Sequence, residues 1–271
     1  ERFHFTLIVV APGLRICLLL NSFMVIPRTY GRMGNFLFQA AATIAYAKKH
    51  NLPFTMPLEV TPGKSPKMNP IYLGHLINPQ YNSQLPTQVI PEKMFPFHEL
   101  PFEESWREMN IVLDGYWQTE KYFKHIRSEI LSLFAFPWTM KPGVVSIHVR
   151  RGDYLKLPRK HPAVPVSWIN SAMALFPSKQ FLFFSDDINW CQQTFGRRKD
   201  CRFFRGHSEV EDLVEMACCE DNICSASTFS WWGAWLNQNP NKRIYMPKLW
   251  FVPGWGGLDI KDIVPLEWNR L

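Results

Sequence analysis

Val144-Val145-Ser146-Ile147-His148-Val149-Arg150-Arg151-Gly152-Asp153-Tyr154 is the stretch whose reading decides the fold. Its first six residues are largely β-branched and apolar, the composition of a strand buried in a parallel sheet. It ends in a cluster of charge at a glycine, where such a strand leaves its sheet. His148 and Arg150 stand two residues apart, so they depart on one face. In open α/β sheets ligands bind beyond the carboxyl ends of the strands. A planar, permanently charged guanidinium at that place suits a phosphate.

Downstream the rhythm repeats. Ser167 to Phe176 predicts a helix, Gln180 to Phe184 a strand running into Ser185-Asp186-Asp187, Ile188 to Phe195 a short helix, and Arg202 to Phe204 a short strand. Ser208 to Glu220 predicts a helix opened by a capping box, with Ser208 as cap and Glu211 three residues on. Cys218 and Cys219 fall within it and read as small buried hydrophobes. Ile223 to Ala226 predicts a strand, Thr228 to Leu236 a helix, and Arg243 to Met246 a strand. Strands and helices alternating at this spacing argue for a doubly wound parallel sheet.

Upstream the same logic gives a second unit. Phe23 to Ile26 predicts a first buried strand, Tyr30 to Asn35 a glycine-bearing turn, and Phe36 to Lys49 a helix with apolar Leu37, Ala40, Ala41, Ile44 and Ala45 on one face. Residues 53–101 are proline-rich and read as irregular loops. Asn110 to Leu113 predicts a strand and Glu120 to Phe134 a helix. Phe136-Pro137-Trp138 and Lys141-Pro142-Gly143 predict a linker. The expected fold class is α/β, with two Rossmann-like domains facing a cleft, the first over residues 23–137 and the second over 138–271. Residues 1–22 stand apart as an N-terminal extension.

Three strand ends carry polar groups suited to a nucleotide: His148 to Tyr154; Ser185-Asp186-Asp187, whose carboxylates suit the paired N–H donors of guanine; and Ala226 to Ser230, a strand-to-helix turn that forms an anion site. Each also has a plainer reading. Arg150 and Asp153 make an intradomain salt bridge, and Asp186-Asp187 or Ser227 to Ser230 simply cap the next helix.

Composition narrows the field. The 271 residues are 46% hydrophobic and 15% aromatic, enough for a large core and for rings to spare at a sugar site. The formal charge is +7, but the basic residues fall in short clusters, so no nucleic-acid partner is expected. There is no GxxxxGK[ST] loop, no GxSxG elbow and no CxxC pair, which argues against P-loop, serine-hydrolase and zinc-ribbon chemistry. No Asp-x-Asp pair is present, so no metal is expected and arginine must neutralise a leaving phosphate. The six cysteines and the missing Asn-x-Ser/Thr acceptor favour a reducing compartment. Phe5 to Ile26 is apolar, but Pro12-Gly13 interrupts it, and Arg15 at mid-bilayer costs roughly 2.5–3.5 kcal/mol. An anchor, a signal and a peripheral membrane association all stay open for it.

His148 to Tyr154, HVRRGDY, resembles the arginine motif of the α-1,2-fucosyltransferases, glycosyltransferase family 11. Gly31 to Gln39 is similar to that family's N-terminal glycine turn, and Gly115 to Phe123 to its GY-x-Q block. Phe184 to Asp187, Ser227 to Leu236 and Pro247 to Phe251 complete the family's order. The resemblance runs from about residue 23 to 251. Phe36 departs from it, standing where many members carry Gln, on the acceptor side of the cleft.

The resemblance implies a GT-B fold and inverting, metal-independent transfer of L-fucose from GDP-fucose to a galactose-terminated glycan, with no cofactor. It implies that Arg150 holds the β-phosphate with Arg151 beside it, that His148 and Asp186 or Asp187 contact the guanosine, and that Ser227, Thr228, Phe229 and Ser230 form the phosphate turn. Asn35 would face the donor across the cleft. Asp153, beside the arginines, reads as an orienting group, and His161 as a candidate base near neutral pH. Another linkage, a protein acceptor, or a GDP-sugar-binding homologue without turnover are the alternatives.

Overall fold

The computed structural model describes residues 23–56, 84–134, 137–206 and 208–271. The N-terminal extension and much of the proline-rich segment lie outside the described residues.

The first unit is built on β1 (Val25–Arg28), α1 (Met33–Lys49), β2 (Thr87–Pro91) and β3 (Asn110–Asp114). The three strands run parallel in the order β1-β3-β2. β1 starts two residues later than its apolar run suggests. α1 starts inside the expected turn, because Gly31 takes φ +73° and bends the chain before Arg32. The helix is buried nearly all round, and its small residues Ala40, Ala41, Ala42, Ala45 and Ala47 let neighbours approach closely.

The helix expected over Glu120 to Phe134 is instead two 3-10 turns, Glu120–Tyr122 and Lys124–Ile126, followed by α2 (Arg127–Phe134). Phe123 departs from helical dihedrals between the turns, and Glu120 is pulled inward to accept from Lys124 Nζ (2.8 Å) and Trp235 Nε1 (3.0 Å). These contacts outweigh local helix propensity.

The second unit runs β4 (Lys141–Val149), α3 (Gly152–Lys156), α4 (Val166–Ala174), β5 (Gln180–Ser185), α5 (Ile188–Phe195), β6 (Cys201–Phe203), α6 (Glu209–Cys218), β7 (Cys219–Ile223), α7 (Thr228–Leu236), β8 (Ile244–Met246) and β9 (Asn269–Arg270). Its six strands are all parallel, in the order β6-β5-β4-β7-β8-β9. Counted within the unit this is the doubly wound dinucleotide-binding order, which reverses between β4 and β7. The expected two-sheet α/β architecture is what the chain adopts.

Two expectations are corrected here. Lys141-Pro142-Gly143 is not a linker but the start of β4. Its register against β7 shifts between Lys141 and Val145, and Gly143, at φ +76°, donates its N–H to Glu220 Oε2 (2.5 Å). The helix does not continue to Glu220: α6 stops at Cys218, and Cys219 opens β7. That strand escapes a hydrophobicity reading because its central residues are polar. Asn222 is buried and donates to Ser146 Oγ (2.7 Å) and Met216 O (2.9 Å), and buried Asp221 accepts from Arg243 N (2.6 Å).

One hydrophobic core crosses both units. Phe38 of α1 packs on Trp231 (centroids 4.4 Å apart) and Trp232 (5.1 Å) of α7, and Phe123 stacks on Trp232 at 5.5 Å. A second core, around Val145, Ile147, Phe183 and Phe195, belongs to the larger sheet alone. Among the described residues no helix is long and apolar enough to cross a membrane.

Candidate active site

A cavity of about 570 Å³ lies between the two sheets. Gly31 to Asn35, Tyr116 and Gln118 form one wall; His148, Arg150, Asp153, Ser185, Asp186 and Ser227 to Phe229 are on the other. It sits over the carboxyl ends of β4 and β7, where the strand order reverses, the place at which open α/β sheets bind ligands.

Arg150 is the fixed point. Its backbone N–H donates to Ser225 Oγ (3.0 Å), and its side chain is 15% exposed. Nε and Nη2 reach Asp153 Oδ1 (2.9 and 2.7 Å), and Nη1 reaches Asp186 Oδ2 (3.1 Å). Two carboxylates thus hold one guanidinium over the cavity. Asp153 spends a single oxygen on the pair. Asp186 spends both, because Oδ1 also accepts from Arg151 N (2.9 Å). Gly152 is required here: a Cβ would sit 2.6 Å from Asp186 Oδ2.

Burial dominates the electrostatics of both cavity histidines. His148 is buried at the end of β4, with Nδ1 unpartnered among the described residues. Burial first, and the charge of Arg150 second, push its pKa down to about 4. His161 stacks on Tyr154 at 4.3 Å, with the rings 9° from parallel. Burial, then Lys160, lower its pKa to about 4 as well. The expectation that His161 titrates near neutrality is corrected: it stays neutral there and is a weak base.

Two helix N-termini converge on the cavity. Gly34, in the first turn of α1, abuts the start of α7. A Cβ there would collide with Phe229 N and come within 2.6 Å of Thr228 C and Oγ1. Asn35 Oδ1 joins the walls by accepting from Gln118 Nε2 (3.0 Å) and Thr228 Oγ1 (2.9 Å). The first turns of α1 and α7 border one space, an arrangement that favours an anion.

A family model, glycosyl transferase family 11, matches residues 89–250, which include Arg150, Asp153, Asp186 and the start of α7. The chain belongs to glycosyltransferase family 11. It is 30% identical over 180 residues to an α-1,2-colitosyltransferase of Escherichia coli, covering 58% of this chain and 61% of that one, so the match spans less than two thirds of that relative. It is 24% identical over 287 residues to galactoside α-(1,2)-fucosyltransferase 2 of Hylobates lar, covering 87% and 79%. Among solved structures it is similar to the NodZ α-1,6-fucosyltransferase soaked with GDP-fucose, with 18% identity, a TM-score of 0.43, and 80% and 93% of the two chains covered.

Within this family 11 chain the structure brings Asn35, His148, Arg150, Asp153, His161, Asp186, Ser227, Thr228 and Phe229 around the cavity. It does not bring Arg151, Asp187 or Ser230 there. Arg151 lies over the Trp190 ring (3.7 Å) and pairs with Asp187 Oδ2 (3.1 Å). Asp187 caps α5 by accepting from Trp190 N (3.3 Å), and Ser230 Oγ accepts from Ser225 N (3.1 Å) inside the core. Strand alternation carries the signal for Arg151, since it follows Arg150 and leaves on the opposite face.

Two further lining groups escaped the sequence reading. Asp212, in the first turn of α6, has its pKa raised to about 6 by burial and then by Glu211 and Glu209. Arg32 caps α1, where the dipole disfavours a cation unless an anion shares the site.

Proposed function

We propose that this family 11 chain transfers L-fucose from GDP-fucose to the 2-hydroxyl of a galactose-terminated glycan, with inversion and without a metal. The residues over 23–137 take the acceptor side and those over 138–271 the donor side. The observation that carries the reading is Arg150, pinned by Asp153 and Asp186 at the switch point and facing the two helix N-termini.

The chemistry follows from that placement. The acceptor hydroxyl oxygen bonds to the anomeric carbon as the bond from that carbon to the β-phosphate oxygen breaks, and the electron pair leaves on GDP. Charge grows on the β-phosphate, so preplaced donors are worth most in the transition state. Arg150, Arg32 and the N–H groups at Thr228 and Phe229 supply them. Asp153 Oδ2, left out of the arginine pair, takes the hydroxyl proton, and His161 stays stacked on Tyr154. Asp212 is the acid for guanine's adjacent N–H donors, since Asp186 has both oxygens committed and Asp187 lies outside the cavity. The names of the colitosyl and galactoside relatives support a 1,2 linkage.

Incubation with GDP-fucose and a panel of β-galactosides including lactose, in EDTA, tests the reading. The expected product shows a cross-peak from fucose H1 to galactose C2 with α-type coupling. Attachment elsewhere removes the linkage, activity only on restoring Mg²⁺ or Mn²⁺ removes the metal-free mechanism, and absence of both transfer and GDP binding removes the whole assignment.

A further inference from the structure

The wall formed by the smaller sheet holds a feature that donor binding does not use. Tyr116 follows β3 and is 38% exposed at the cavity. Trp117, next to it, is fully buried in the left-handed region at φ +56°. A bulky residue there costs on the order of 1–3 kcal/mol and persists only where its surroundings impose it.

The surroundings are identifiable. Glu92, at the end of β2, accepts from Tyr116 N (2.7 Å) through Oε2 and from Trp117 N (3.0 Å) through Oε1. Its carboxyl is half-buried, and burial raises its pKa. Gly115 gives it room, since a Cβ there would sit 2.9 Å from Glu92 Oε2. Tyr30 backs the Tyr116 ring at 5.7 Å, and its hydroxyl is tied to Asp114 Oδ1 (2.6 Å). Gln118, two residues on, donates to Asn35 and lines the same space. The fold therefore uses backbone strain and a doubly bonded carboxylate to hold one aromatic ring partly exposed at the cavity that Arg150 also lines.

We infer that Tyr116 is the platform for the acceptor's pyranose ring, and that Glu92 is the positioning residue that sets it. A pyranose offers an apolar C–H face and a rim of hydroxyls. The rigid ring of Tyr116 takes the face, and the Gln118 carbonyl and the Tyr116 hydroxyl take the rim. The inference rests on the transferase reading of the site, and the test separates the two.

The wild type is screened on the β-galactoside panel, and KM for its best acceptor is compared with GDP affinity by calorimetry in Tyr116→Ala, Tyr116→Phe and Glu92→Ala. Tyr116→Ala is expected to raise acceptor KM about tenfold or more, the loss of one side chain's apolar contact, with GDP affinity unchanged. Tyr116→Phe should stay within about threefold of wild type, because the ring face remains. Glu92→Ala should raise acceptor KM with GDP affinity retained. Combining it with Tyr116→Ala should add little, as for residues acting through one contact. Unchanged acceptor KM in Tyr116→Ala overturns the platform, as does an equal loss of GDP affinity, which would place the nucleotide there. Fully additive effects overturn the role of Glu92. A wild type that binds GDP but uses no member of the panel removes the sugar platform; one that does not bind GDP removes the transferase reading first.

Discussion

The two walls of the cleft are built on opposite principles. The wall of the larger sheet is charged, and its charges are already matched: Arg150 sits between Asp153 and Asp186, and the backbone at the end of β4 is anchored to Ser225. The opposite wall presents an aromatic ring, two carboxamides, Arg32 and a helix N-terminus, and its loop after β3 is held by backbone N–H groups donated to Glu92. The difference teaches where precision is needed. A leaving diphosphate develops charge at one defined place, so its partner must be fixed before the reaction. An acceptor sugar is recognised by shape, which a strained loop can set.

The sharpest way to break this contrast is at Arg150. Arg150→Lys keeps the charge but loses the fork that meets Asp153, Asp186 and a phosphate together. On the proposed function, kcat is expected to fall by about 10²–10³, with the melting temperature near wild type because the change lies at a strand end. Turnover close to wild type would show that this wall needs only a point charge.

A smaller effect is expected at the seam between the walls. Gly34→Ala places a methyl group against the backbone of Thr228 and Phe229. Overpacking of this kind costs about 1–3 kcal/mol, readable as a lowered denaturant midpoint together with weakened GDP binding. If stability drops and GDP affinity holds, the helix termini are joined for packing alone.

Smallest is the effect at Asp212. Asp212→Asn is expected to cut the preference for GDP over ADP about tenfold, or about 1.4 kcal/mol. The wild-type carboxyl titrates near 6 and must be ionised to accept N–H donors, so GDP affinity should weaken as pH falls through about 6 and hold above it. Calorimetry from pH 5 to 8 checks this, and a flat profile would place guanine recognition elsewhere.

What the sequence disclosed follows from how local each signal is. α5 and α7 begin and end where their patterns say, Ile188–Phe195 and Thr228–Leu236, because each is a short amphipathic or apolar run flanked by turn residues. Arg150 was legible because a strand end is a local event. β7, expected at Ile223 to Ala226, starts earlier at Cys219, because its polar centre is satisfied by partners from Ser146 to Arg243, which no window along the chain contains. Asp212, and the role of Tyr116 within the Gly115 to Phe123 block, were hidden for a related reason. Nothing in their neighbours announces a cavity, and they reach it only once α6 packs and Glu92 turns the loop after β3. The separation of Arg151 from Arg150 was available in the strand alternation itself.

The aromatic core shared by α1 and α7 has a consequence for engineering. Phe38 and Phe123 come from one unit and Trp231, Trp232 and Trp235 from the other, and their rings interlock. The larger sheet keeps a core of its own around Val145 and Phe183, but the aromatic core is complete only with both units. Grafting the smaller-sheet unit of a family 11 relative onto this larger-sheet unit would therefore break that shared core unless α7 travelled with it, so chimeras should be cut around that helix rather than between the sheets.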